Sequence, residues 1–210
     1  MALSTNTRPL PITFTIPGTK IDRFTSLLQS GMRLPAPSGL SLGVFIDSLP
    51  GFDIDYISNT VQTIFLDGNA IDDLEHPLTR PDHVLALSAA MPGLAGAIFR
   101  RNSLCAALRT RSNTSQPKTE DNHELYILLK LFNSIAQEKG GELLRLGGVF
   151  SGETLRSFFQ QRPSLLEVIQ TLLIDGENLA VNNLLLSLSD QKQYYLKITT
   201  TEQRETTNGQ

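Results

Sequence analysis

The dipeptide Asp67-Gly68 constrains this chain more than any other pair of residues. Asp-Gly favours the backbone of a two-residue turn, which lets two antiparallel strands meet directly. Before it stands Val61-Gln-Thr-Ile-Phe-Leu66, rich in β-branched and aromatic residues, and after it Asn69 to Ile71, so the segment predicts a hairpin or a bulged return. Two further segments, Pro11-Ile-Thr-Phe-Thr-Ile16 and Asp82-His-Val-Leu-Ala-Leu-Ser88, alternate apolar and polar residues as strands do. Between them, apolar residues at Ile21, Phe24, Leu27 and Leu28 have helical spacing and lead to Gly31 and the extended run Met32 to Leu34. Ser38 or Ser41 can cap a helix carrying Leu42, Phe45, Ile46 and Leu49 on one face, and Pro50-Gly51 ends it. Strands and helices that alternate in this way define an α+β class.

The second half mixes the same ingredients. Glu124 to Phe132 is a nearly continuous apolar run, suited to a central strand buried on both faces. Asn133 or Ser134 can cap a helix through Leu146, which Gly140-Gly141 weakens by about 1 kcal/mol per glycine relative to alanine. Ser151 opens a helix with Leu155, Phe158 and Phe159 at helical spacing, and a third helix is expected over Leu165 to Leu173, stopped at Asp175-Gly176. A closing hairpin is expected from Leu184–Ser189 and Tyr194–Thr199. No repeat of fixed period is visible. The polar stretch Thr110 to Asn122 has the composition of a connector, which gives four expected regions: a domain over 9–110, a linker over 111–122, a smaller α+β domain over 123–200 and a polar tail over 201–210.

Composition narrows the setting. A single Cys105 cannot close an intramolecular disulfide, and the first residues lack the charged and apolar regions of a signal peptide, so a reducing, cytoplasmic location is expected. The longest apolar stretch, Val84–Phe99, is 16 residues long and interrupted by Pro92, Gly93 and Gly96, short of the roughly 20 a spanning helix needs. Net charge is −3, but it is segregated: eight acids and one base lie between Asp47 and Asp82, five bases and no acid between His83 and Thr119. Such a dipole can steer charged partners, or the two runs can neutralise each other as solvated loops. Nucleic acid is disfavoured, because no aromatic residue stands between Arg100 and Lys118 for base stacking.

Ile64-Phe-Leu-Asp-Gly-Asn69, Asp73-Leu-Glu-His-Pro-Leu78 and Pro81-Asp-His-Val-Leu85, in that order, resemble the ubiquitin-like β-grasp fold, and within it the group of the molybdopterin-synthase small subunit and the thiamine sulfur carrier. The resemblance covers about residues 9 to 95 and implies an N-terminal β-grasp followed by the smaller α+β domain. It also implies a departure. Those carriers are activated on a terminal Gly-Gly, whereas the matching region here reads Ala90-Met-Pro-Gly-Leu94 and the sequence runs on to Asn208-Gly-Gln210. Carrier chemistry is therefore not expected, and what remains of the family is a sheet that serves as a docking surface.

Chemistry-bearing motifs are sparse. His76, His83 and His123 with one cysteine leave no Cys-x-x-Cys or His-Glu-x-x-His pattern, so no metal or cofactor is expected. Cys105, in the apolar Leu104-Cys-Ala-Ala-Leu108, reads as a buried inert thiol, and Asp72-Asp73 as solvated loop acids. The segment Ser88-Ala-Ala-Met-Pro-Gly-Leu-Ala-Gly-Ala-Ile-Phe-Arg-Arg101 stands apart. Small residues permit close backbone approach, and the two arginines that follow could neutralise an anion. Ser88, Met91, Pro92, Gly93, Gly96, Arg100 and Arg101 are the candidate site residues. Three readings stay open: tight internal packing with Ile98, Phe99 and Leu104 in the core, a protein-docking surface, and a pocket for a small anion near Gly93 to Arg101. A non-enzymatic binding or scaffold protein is the leading expectation; an enzyme or ligand-binding protein with an anion pocket between the two domains is the alternative.

Overall fold

The computed structural model describes residues 8–105 and 124–202. Their helices and mixed parallel and antiparallel strands make this an α+β chain. In chain order the strands are β1 (Leu10–Pro17), β2 (Met32–Pro37), β3 (Thr63–Leu66), β4 (Asn69–Ala70), β5 (Val84–Ser88), β6 (Glu124–Phe132), β7 (Gly148–Ser151), β8 (Thr171–Ile174), β9 (Glu177–Asn178) and β10 (Gln193–Thr201). The α-helices are α1 (Leu42–Asp47), α2 (Ile54–Asn59), α3 (Gly93–Phe99), α4 (Asn133–Leu146), α5 (Gly152–Gln161) and α6 (Leu184–Ser187).

Two compact units form, and neither is a contiguous half of the chain. One runs from Ser26 to Leu143; the other joins the chain up to Thr25 with the chain from Leu144 onward. The first expected strand, β1, does not pair within the N-terminal half. It pairs in parallel with β10 from Leu10↔Tyr194 to Pro17↔Thr201, and antiparallel with β8. The 9–110 and 123–200 division therefore does not coincide with the compact units, because alternation marks a strand without naming its partner. The linker over 111–122 and residues 203–210 of the expected tail lie outside the described residues.

In the Ser26–Leu143 unit the strand order is β4-β3-β5-β6-β2, with β5 parallel to β6 and the outer pairings antiparallel. The core of this unit takes Met32, Leu34 and Ala36 from β2, Leu42, Phe45 and Ile46 from α1, and Leu85 and Leu87 from β5. Ser41 caps α1 by accepting from the Val44 N–H, as the sequence suggests. Along β6, Leu125, Ile127, Leu129 and Leu131 are buried while Tyr126 is exposed and Lys130 half-buried. The strand is thus buried on one face only, because Tyr and Lys can lie in an apolar run and still carry their polar tips to water.

The other unit repeats this plan as β9-β8-β1-β10-β7, with β1 parallel to β10. The hairpins correspond closely. Asp67-Gly68 and Asp175-Gly176 both take positive φ at both residues, 51° and 81° against 54° and 83°, the backbone of a type I′ turn. Asp67 N–H donates to Val84 O at 2.8 Å and Asp175 N–H to Pro11 O at 2.9 Å, while Ile71 donates to Ile64 and Leu179 to Leu172 at 3.0 and 2.9 Å. Asp175-Gly176 is therefore a hairpin turn, where a helix stop was expected, and the third helix is replaced by a 3-10 turn over Pro163–Val168 followed by β8. Near the end of the chain, Leu184 and Leu188 are buried and Leu186 is exposed, a spacing of four that makes α6 a helical turn in place of a hairpin strand. The segment Gly18–Gln29 is a 3-10 helix, which suits Ile21, Phe24 and Leu27 at intervals of three.

Candidate docking site

All seven candidate residues fall in the Ser26–Leu143 unit, at the end of β5 and around α3. They divide into residues that hold the fold and residues that face outward. Ser88 is 5% exposed, and its Oγ accepts from the Asn133 side-chain amide at 2.8 Å. Asn133 has φ 55°, a left-handed conformation that favours Asn, so this bond pins the start of α4 to the end of β5. Ser88 is structural.

The two glycines do different things. At Gly93 φ is +74° and a Cβ would meet nothing within 4 Å, so the requirement is conformational. At Gly96 a Cβ would lie 1.8 Å from Met91 O, so the requirement is space for the Met91 backbone to fold against the helix. The small-residue pattern thus serves the turn at Gly93 and the close approach at Gly96. Phe99 packs at a 58° tilt on Phe65 with centroids 5.3 Å apart, which ties α3 to β3.

Arg101 turns inward. Its guanidinium Nη1 donates to Ile57 O at 2.9 Å and Val61 O at 3.3 Å, and its N–H donates to Gln62 O at 2.7 Å. It thereby occupies carbonyls at the C-terminal end of α2, where a cation is favoured. Burial lowers its pKa and the nearby Asp72 carboxylate opposes that. Arg100, by contrast, is exposed. The expected pair of anion-binding arginines is thus split: one is a clamp, the other faces outward.

Outward-facing residues surround a cleft of about 570 Å3 lined by Met91, Pro92, Gly93, Ala97, Arg100 and Leu104, among others. Leu94 is 72% exposed and Leu104 fully so. Leu104 therefore does not enter the core, and Cys105, expected as a buried thiol, is partly exposed at the same cleft. Sequence reading singled out this segment but missed Leu94, the large apolar side chain it exposes, although a lone leucine among Gly and Ala was the available signal.

The other sequence candidates are absorbed by local structure. His83 is buried; its Nε2 accepts the Arg80 N–H at 3.2 Å, which leaves Nδ1 to donate to Asp67 at 2.7 Å. Asp73 is exposed and accepts the Glu75 N–H at 2.9 Å, whereas Asp72 is half-buried with its carboxylate near Arg101, where two solvated loop acids were expected. Among the described residues no group of three or more His, Cys, Asp or Glu is placed to hold a metal ion, and no helix is long and apolar enough to cross a membrane. Compared with protein-family models, curated proteins and solved structures, the chain matches none.

Proposed function

We propose that this chain is a non-enzymatic binding protein of β-grasp type, acting in the cytoplasm, that docks a protein partner on the Met91–Leu104 surface. The observation carrying this reading is that α3 packs Phe99 on Phe65 of the sheet while Leu94, on the same helix, stays exposed, and that Leu104, also exposed, lines an open cleft. Burying an exposed leucine contributes about 1.5–3 kcal/mol. The β-grasp reading rests on the hairpin, the central parallel pair and the outer antiparallel strand, in the order they take in this unit. The test is retention of a defined partner by the tagged protein beside Leu94→Asp and Arg100→Glu variants, with circular dichroism to show that they fold. Loss of one specific partner in both variants supports the reading; equal retention by all three proteins removes it.

A small-anion pocket is the second reading, favoured by Arg100 at the edge of the cleft. It is weakened by the inward turn of Arg101. Native mass spectrometry that found a bound anion, lost in Arg100→Ala, would replace the docking reading with this one.

A further inference from the structure

One element is held in an unusual way. The chain up to Thr25 belongs to the unit built from the C-terminal part of the sequence, and it leaves that unit at Thr25 to supply the whole of the other. This arm is no edge decoration. β1 lies between β8 and β10, with Ile12, Phe14 and Ile16 fully buried. Phe14 and Phe24 both pack edgewise on Phe159, at 5.5 and 6.4 Å, and Arg23 donates to Ser164. In the Ser26–Leu143 unit the corresponding place beside the hairpin is filled by β5, which follows that hairpin in sequence. Here it is filled by a strand more than 150 residues away, and Thr15 and Thr199 share a hydroxyl–hydroxyl bond of 3.0 Å across a separation of 184 residues.

A strand supplied from afar makes identical bonds whether it comes from its own chain or from another copy. Its continuation is the 12-residue 3-10 segment Gly18–Gln29, which carries the chain from one unit into the other. We propose that residues 8–25 are an exchangeable donor arm, and that a second copy of this chain can seat its own Leu10–Pro17 between β8 and β10, giving a strand-exchanged dimer. The groove specifies its occupant: alternate apolar side chains at 12, 14 and 16, and hydrogen bonds on both sides, one parallel and one antiparallel. This inference stands apart from the docking reading, since it uses none of the residues around α3.

Two full-length copies in a Cys105→Ala background test it, one with Thr15→Cys and the other with Thr199→Cys, unfolded, mixed and refolded over a range of concentrations, then oxidised. Exchange is expected to link the two copies through a disulfide, with the ratio of linked dimer to monomer rising about tenfold for a tenfold higher concentration. A peptide of residues 8–17 in excess during refolding is expected to suppress that dimer. A chain carrying both substitutions, refolded dilute, serves as the control for closure within one copy. If it closes while no link forms between copies at any concentration, the proposal is overturned. Should the thiols fail to join in the control, sedimentation decides: a monomer at every concentration, or a dimer that the peptide leaves intact, also overturns it.

Discussion

At the scale of single residues, the two neighbouring arginines have opposite roles and should separate in experiment. Arg101→Ala leaves the Ile57 and Val61 carbonyls without their donor and is expected to destabilise by about 1–3 kcal/mol. Arg100→Ala, at an exposed position, should cost less, under about 1 kcal/mol, the usual worth of an exposed charged interaction. Urea denaturation of the two variants checks both values. Asp67 gives a second prediction. Burial opposes its charge, yet the Val84 N–H, the His83 ring and the Arg80 cation together hold its carboxyl below the usual range. Because the folded pKa lies below the unfolded one, the contribution of Asp67 is whole above about pH 4 and is lost as pH falls through the folded value. Asp67→Asn, which tolerates the positive φ of the turn, should flatten this acid limb in a pH series of melting curves.

At the scale of elements, the paired type I′ turns predict matched behaviour. Gly68→Ala and Gly176→Ala place a Cβ in open space, so each cost is backbone strain alone, about 1 kcal/mol, and thermal melts should show the two to be similar. Near the second hairpin, the buried Tyr194 hydroxyl donates to Ser187 O and accepts from Ser189 N–H, tying α6 to β10. Tyr194→Phe should cost about 1–3 kcal/mol by the same denaturation measurement, since Ser189 would lose its acceptor. Much of this was legible in the sequence. Asp67-Gly68 announced its hairpin, and Ser41 and Ser151 announced their helices. Asp175-Gly176 carried the same signal but followed Leu165-Leu-Glu-Val-Ile169, whose apolar spacing also fits a helix, and the helical reading masked the turn. At the site, close approach was expected of the glycines; it is found at Gly96, where Met91 O is what approaches, whereas Gly93 is required for its positive φ.

At the scale of the molecule, the alternation of strand and helix patterns gave the class but not the division into units. The polar stretch over 110–122 looked like a boundary because loops between domains are polar, whereas the units are fixed by which strands pair, and period-two alternation is the same for every partner. Removal of residues 1–17 should therefore act at a distance in sequence. Hydrogen exchange is expected to show protection lost in β8 and β10 and retained in β5 and β6. Loss spread evenly over all four would mean that the two units unfold as one.

The place of β1 also bears on the order in which the chain is made. Leu10–Pro17 leaves the ribosome well before the strands that flank it, β8 and β10. At about 5–20 residues per second the wait is on the order of 10–40 s. Throughout that interval Ile12, Phe14 and Ile16 lack the strands they are buried among, whereas the strands of the Ser26–Leu143 unit are all translated before β8. The nascent chain thus holds, until β8 and β10 follow, a segment of the kind that chaperones bind, and the rate of translation sets how long it stays exposed.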